Sequence, residues 1–228
     1  MIIRPYSDKA NVQTPGDFPA LKLFIPGGAN SGTGNNFHDW VSGQDFASGG
    51  TLDRTSAANA IRANAVLAPA LPAAIPIGAS KVMLLIVANQ SGIASNGVAS
   101  GAISTLFACG SAQVSYGTNT AALGATPTGA ITGMAAGFDG THGLQYLANL
   151  TTWTAPAGVA PTPSPITSLP TMDKLSIARI TGNNDIYGIG LFVFATAIPA
   201  NWPAAQQWMT AAWANGDYRI YPGLNGAI

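Results

Sequence analysis

Apolar and polar positions along this chain alternate with a period of two, and turn formers interrupt them every few residues. Residues 21–25 alternate as a half-buried strand should, and Pro26, Gly27 and Gly28 end it. The run 82–88 is apolar throughout, between Gly78 and the polar stretch Asn89 to Gly92; this predicts a strand buried on both faces. Residues 130–138 and 144–148 form two strands around Asp139, Gly140, Thr141, His142 and Gly143, a composition that joins hairpins. A second hairpin is expected between 101–108 and 112–116, turning at Cys109, Gly110 and Ser111. Residues 175–180 alternate again, and 186–194 carry the strongest β pattern of the chain. Ile2 and Ile3 suit a short edge strand, and residues 53–62 a short helix opened by Asp53. Residues 30–36 and 154–170 read as surface loops.

The period changes near the end. Trp202, Ala205, Met209, Ala212 and Trp213 recur at helical spacing, after Asn201 as N-cap and with Pro203 in the first turn. Asn215 and Gly216 supply the stop, so a helix over 201–215 is expected. Trp208 falls at the edge of its apolar face.

Composition narrows the class. The chain has 228 residues with 27 Gly and 16 Pro, too much punctuation for a helical fold. Recurrent Leu, Ile, Val, Phe and five Trp argue against disorder. The expectation is an all-β, antiparallel jelly-roll sandwich with one short amphipathic C-terminal helix. Only 8% of residues are charged, against roughly 25% in ordinary domains, and net charge is zero. Between residues 82 and 172 the only formal charge is Asp139. Five Asp and five Lys or Arg precede Ile75, so residues 1–64 read as an extended arm or collar, packing on the sandwich or on neighbouring subunits. Residues 65–228 read as the sandwich. A nearly uncharged surface favours a subunit packed against neighbours.

The order of elements in the second half carries a resemblance. Phe138, Asp139, Gly140 and Thr141 lead to Leu144, Gln145, Tyr146, Leu147, Ala148 and Asn149. Then come a Pro-rich loop, the strand from Leu175 to Arg179, the strand 186–194, and Ile198 and Pro199 running into the helix. Residues 75–215 thus resemble concanavalin A-like, laminin G-like jelly rolls. There a "YDG…lyvNG" hairpin precedes an "l.iG" strand, and the last strand enters a short helix. The closing run from Trp213 to Gly223, with Tyr221, Pro222 and Gly223, resembles the "lYPg" tail of such domains in bacteriophage virion proteins.

Candidate chemistry is sparse. Glycosidases on this fold use two carboxylates on one strand, and the chain has no Glu and scattered Asp, so no enzyme is expected. His38 and His142 lack partners at metal-ligand spacing apart from Asp39. Asn35, Asn36, Asp39 and Asp45 are the oxygen-rich cluster to weigh for calcium, but without EF-hand spacing they read as turn residues. Cys109 is alone within an apolar run and reads as a small buried hydrophobe. No metal or other cofactor is expected. There is no phosphate-binding loop, and no basic stripe for nucleic acid. No apolar run reaches the ~20 residues of a membrane span. A sugar patch, if one exists, is expected at Asp139, His142, Asn149 and Trp153. Trp40, Trp208, Tyr218 and Tyr221 are the candidate interface aromatics.

The expected function is therefore that of a bacteriophage virion structural protein: a capsid decoration, head-fibre or tail component. It would act as a symmetric homo-oligomer among other virion proteins. No secretion signal is seen, so synthesis in the host cytoplasm and a place in the virion are expected. The alternative is a carbohydrate-recognition module on the same fold, binding a host surface glycan.

Overall fold

The alternating segments become sixteen strands and one α-helix among the described residues of a computed structural model. These are 15–63, 69–78, 80–90, 96–99, 107–109, 113–116, 119–122, 131–139, 143–149, 153–154, 172–177 and 184–227. In chain order the strands are β1 (Leu21–Pro26), β2 (Asn36–Asp39), β3 (Gln44–Ala47), β4 (Leu52–Asp53), β5 (Ile61–Ala63), β6 (Ala70–Ile75), β7 (Lys81–Gln90) and β8 (Asn96–Ala99). They continue as β9 (Phe107–Cys109), β10 (Gln113–Tyr116), β11 (Asn119–Ala122), β12 (Ile131–Phe138), β13 (Gly143–Asn149), β14 (Trp153–Thr154), β15 (Met172–Ile177) and β16 (Asn184–Phe194). The helix is α1 (Trp202–Ala214).

The two most apolar runs, β7 and β16, pair antiparallel at the centre of the larger sheet, from Asn184↔Gln90 to Phe194↔Lys81. That sheet has eight strands, in the order β14-β13-β12-β7-β16-β5-β4, with β1 also pairing with β16. Every residue from Val82 to Ala88 is fully buried, as the unbroken apolar run implies. Such a strand cannot sit at an edge. The hairpin read around Asp139 forms as β12–β13, from Phe138↔Gly143 to Thr132↔Asn149. Four strands, β6-β15-β8-β9, make a second sheet. Its β9 lies beside β12, and β6 lies beside β3. All pairings between described strands are antiparallel, so the fold is all-β, with a single late helix among the described residues.

Three local expectations are corrected. Residues 53–62 form no helix. The Asp53 carboxylate instead accepts the N–H of Thr55 and of Ser56 and both hydroxyls, which closes a turn before β5. Nor do residues 101–108 and 112–116 pair as a hairpin among the described residues. β9 takes β8 as its ladder partner, and β10 takes β11 across a two-residue connection that is shorter than the three residues between β9 and β10, although β9 and β10 still lie beside each other. Asn201 occupies the N-cap position, yet its side chain caps nothing. Its backbone, at φ −88° and ψ 11°, lies outside the extended region a capping residue uses, and the carboxamide bonds elsewhere. Ile2, Ile3 and most of the loop 154–170 lie outside the described residues.

The stretch before residue 64 supplies β1, β4 and β5 to the large sheet. β5 and β1 share one edge of β16, at 184–186 and at 188–192. Phe18, Leu21 and Phe24 from this stretch are buried in the same core as the helix. Each such side chain contributes roughly 1.5–3 kcal/mol through burial.

α1 lies across one face of the large sheet. Trp202, Ala205, Met209 and Trp213 are buried against Met83, Leu85, Val87, Phe192 and Phe194. Leu84, Ile86 and Leu191 alternate with these and belong to the opposite face. Gln206 is buried too. Its amide donates to Gly133 O (2.9 Å) and accepts from Trp202 Nε1 (3.2 Å), so a polar residue on the apolar face is satisfied in place. Gly216 at φ 78° closes the helix. Its N–H bonds to Trp213 O, and that of Asp217 to Ala212 O, the pairing of a Schellman stop.

Candidate functional site

Of the four residues read as a sugar patch, the three that the structure describes do not converge. Asp139 follows β12 at the turn end of the hairpin, whereas Asn149 and Trp153 stand at its far end, Trp153 opposite Ala148. Six strand steps, of roughly 3.3 Å each, separate the two ends by about 20 Å. His142 lies outside the described residues. No single patch gathers there.

The acidic cluster in the first sixty residues is a structural clamp. Asp39 is buried, and its Oδ1 accepts from Phe24 N (2.9 Å) and Val41 N (3.0 Å). Its Oδ2 accepts from Ser42 N (3.2 Å) and Ser42 Oγ (2.6 Å), so the carboxylate joins β1 to the β2–β3 turn. Asp45 faces His38 across that hairpin, with His38 Nδ1 2.6 Å from Asp45 Oδ1. Asn35 Oδ1 accepts from Leu52 N and Asn36 O from Arg54, so the neighbouring polar groups serve the loop itself.

The four aromatics proposed for an interface divide into two pairs. Trp40 and Tyr218 meet edge-on at 5.6 Å, and both contact Phe24 at the rim of the core. Tyr218 is buried and its hydroxyl donates to Asn59 O; burial pushes its pKa up to about 12. The other pair, Trp208 and Tyr221, is half-buried, with centroids 5.9 Å apart. The Arg219 guanidinium lies 5.8 Å from the Trp208 ring centroid while bonding both Asp217 oxygens. Hydrogen bonds from Arg219 hold the Asp217 carboxyl below its ordinary range. This second pair fastens the tail onto α1.

One concave feature went unread in the sequence. Residues 196–201 form one wall and Gly223 the other wall of an open cleft of about 540 Å³. The walls are tied by Asn201 Nδ2, which donates to Gly223 O at 2.6 Å. The signal available was Asn201 itself, a capping residue type that turns out to bridge two segments 22 positions apart. No group of three or more His, Cys, Asp or Glu among the described residues is placed to hold a metal ion. No helix among them is long and apolar enough to cross a membrane.

No family model matches this chain, and no curated protein matches it. Solved structures do. Trypanosoma rangeli sialidase is similar over 86% of this chain and 33% of its own, with a TM-score of 0.58 and 13% identity. The same sialidase in complex with sialic acid gives 0.55 at 11% identity, again over 86% and 33%. A mutant of it displaying trans-sialidase activity gives 0.54 at 12% identity, over 92% and 36%. The chain thus spans about a third of the sialidase chains, and at these identities the likeness is one of fold. It agrees with the all-β sandwich and adds nothing for a bacteriophage origin.

The likeness overturns the expectation that the chain is no enzyme, because the proteins sharing its fold are enzymes. That expectation rested on the absence of Glu and of a carboxylate pair. Sialidases are an exception to the two-carboxylate rule, since they use a tyrosine nucleophile, so a chain without Glu is not excluded on that ground. Burial raises the pKa of both Tyr187 and Tyr218, which keeps these two phenols protonated and poorly nucleophilic.

Proposed function

We propose that this chain is a structural subunit that works by assembling with copies of itself, as a capsid decoration, head-fibre or tail component of a bacteriophage virion. The observation that carries the assembly reading is β6. Its six residues, Ala70, Leu71, Pro72, Ala73, Ala74 and Ile75, form an edge of the four-stranded sheet, and every one is exposed or half-exposed. A contiguous uncharged apolar strip on a sheet edge is a site that soluble monomers normally protect with charge. None of its six residues carries a charge, and zero net charge means that copies do not repel one another. Pro72 offers no N–H, so contact through side chains rather than an unbroken ladder suits this edge. The tail from Trp213 to Gly223, with its resemblance to virion domains, supports the virion setting.

Light scattering of the purified chain tests this reading, with Ala73→Lys as the variant. The expected result is a wild-type oligomer and a variant shifted to monomer with an unchanged circular dichroism spectrum. A monomeric wild type, or an oligomer indifferent to the lysine, overturns it.

A second reading is carbohydrate recognition, favoured by the fold shared with sialidases, one of them in complex with sialic acid. A glycan array probed with the intact chain tests it. Binding to a defined glycan class supports recognition, and silence across the array rejects it.

A further inference from the structure

We infer that the cleft between residues 196–201 and Gly223 is a binding site for a neutral pyranose, an inference that rests on the carbohydrate reading above. Its volume of about 540 Å³ falls within the range of ~300–1,000 Å³ typical of small-molecule sites. The lining is amphipathic in the way a sugar ring is. Pro199 is buried and Ile198 half-buried against the α1 core; together they supply an apolar floor for the C–H face of a ring. Thr196 contributes a hydroxyl, and Asn201 a carboxamide.

Asn201 is the organising residue. It stands where a helix cap is needed, yet its side chain makes no cap bond and instead spans the cleft to Gly223 O. That bond holds the two walls together and fixes the amide plane. Its Oδ1 has no partner among the described residues and is available to accept from a ligand hydroxyl. Beyond Gly223 stands the half-exposed Tyr221 ring. A Cβ at position 223 would lie 2.6 Å from Tyr221 Cε1, so only glycine lets the ring close against this wall.

The electrostatics select the ligand class. None of the lining residues carries a charge. Asp217 and Arg219, on the tail that leads to Gly223, bond each other, and the guanidinium lies over Trp208. An ionised sugar would shed hydration in the cleft with no opposite charge to receive it, whereas a neutral ring loses little. The site therefore differs in chemistry from one built for sialic acid.

Titration calorimetry of the intact chain with galactose, mannose, N-acetylglucosamine and N-acetylneuraminic acid tests the inference. At least one neutral sugar should bind with a millimolar or better Kd, and the acidic sugar should not. Ala200→Trp or Ala197→Trp, both at exposed positions, should fill the cleft and weaken binding at least tenfold. Ala204→Trp, on the exposed first turn of α1 outside the lining, should leave it unchanged. Matching melting temperatures show that the variants are folded. A neutral sugar bound equally by the filled variants overturns this site while leaving carbohydrate recognition standing, and so does equal affinity for the acidic sugar. Silence with all four sugars overturns the site, and together with a silent glycan array it overturns the recognition reading too.

Discussion

The indole of Trp213 lies directly on the backbone of Gly188: a Cβ at Gly188 would sit 2.8 Å from Trp213 Cε3. The same closeness recurs on β12, where a Cβ at Gly133 would be 1.9 Å from Thr210 Oγ1. Both glycines pair with Val87 of β7, one on each side, so they form a row across the sheet beneath α1. The helix is seated on main chain.

Filling that row should therefore be felt. Gly188→Ala is expected to destabilise by about 1–3 kcal/mol through overpacking, read as a fall in the urea midpoint. Gly133→Ala should do the same, and Thr210→Ala in the same chain should recover part of the loss by removing the clashing hydroxyl. An additive or worse double variant would count against direct contact.

Arg62 on β5 and Asp185 on β16 face each other with a two-pronged bond, Nε to Oδ1 at 2.7 Å and Nη2 to Oδ2 at 3.0 Å. Their side chains are only 22% and 11% exposed. Arg62→Met leaves the largely buried carboxylate without its partner, and a loss of stability is expected. Asp185→Asn, which keeps an acceptor for the guanidinium, should lose less. Chemical denaturation of both variants gives the comparison.

Asp39 predicts an outcome for metal removal. Its two oxygens already accept four bonds, so chelation with EDTA should leave the melting temperature unchanged. Asp39→Ala should destabilise by about 2–4 kcal/mol, because the N–H of Phe24 loses its carboxylate partner inside the core. A chelator-sensitive melt would show that a cation does share the clamp.

Acid should weaken the fold through carboxylates held in their charged form. Asp53 and Asp217 are both lowered, Asp53 chiefly by the Ser56 hydroxyl and Asp217 by Arg219. For a depressed carboxyl, the stabilisation is present above the unfolded value near 4 and is withdrawn as pH falls through the folded value. The melting temperature should accordingly decline from pH 5 to pH 2. Asp53→Asn should start lower and show a shallower decline, and parallel curves for wild type and variant would contradict this.

Deleting residues 1–63 should unfold the chain rather than merely prevent assembly. The deletion strips β1 and β5 from an edge of β16 and removes Phe18, Leu21 and Phe24 from the core. Circular dichroism of the truncated chain checks it; a retained, cooperative β spectrum would show that the remaining strands fold without this stretch.

What the amino-acid sequence determined by itself was whatever depends on neighbours in the chain. Residues 82–88 and 186–194 had to be central strands because nothing in them tolerates water. Asp139 and Gly140 made a hairpin of β12 and β13, and the helical spacing from Trp202 to Trp213 with Gly216 behind it made one helix with one stop. Tertiary structure decided everything that depends on a choice among distant partners. It gave β9 to β8, placed β1 and β5 on β16, and set Asp139 and Asn149 at opposite ends of one hairpin. It also drew Asn201 away from its helix to Gly223, 22 residues on, and so made a cleft. Period and turn chemistry act over a few residues, whereas strand partners and bridging side chains are settled by closure of the whole core, and no local pattern records that result.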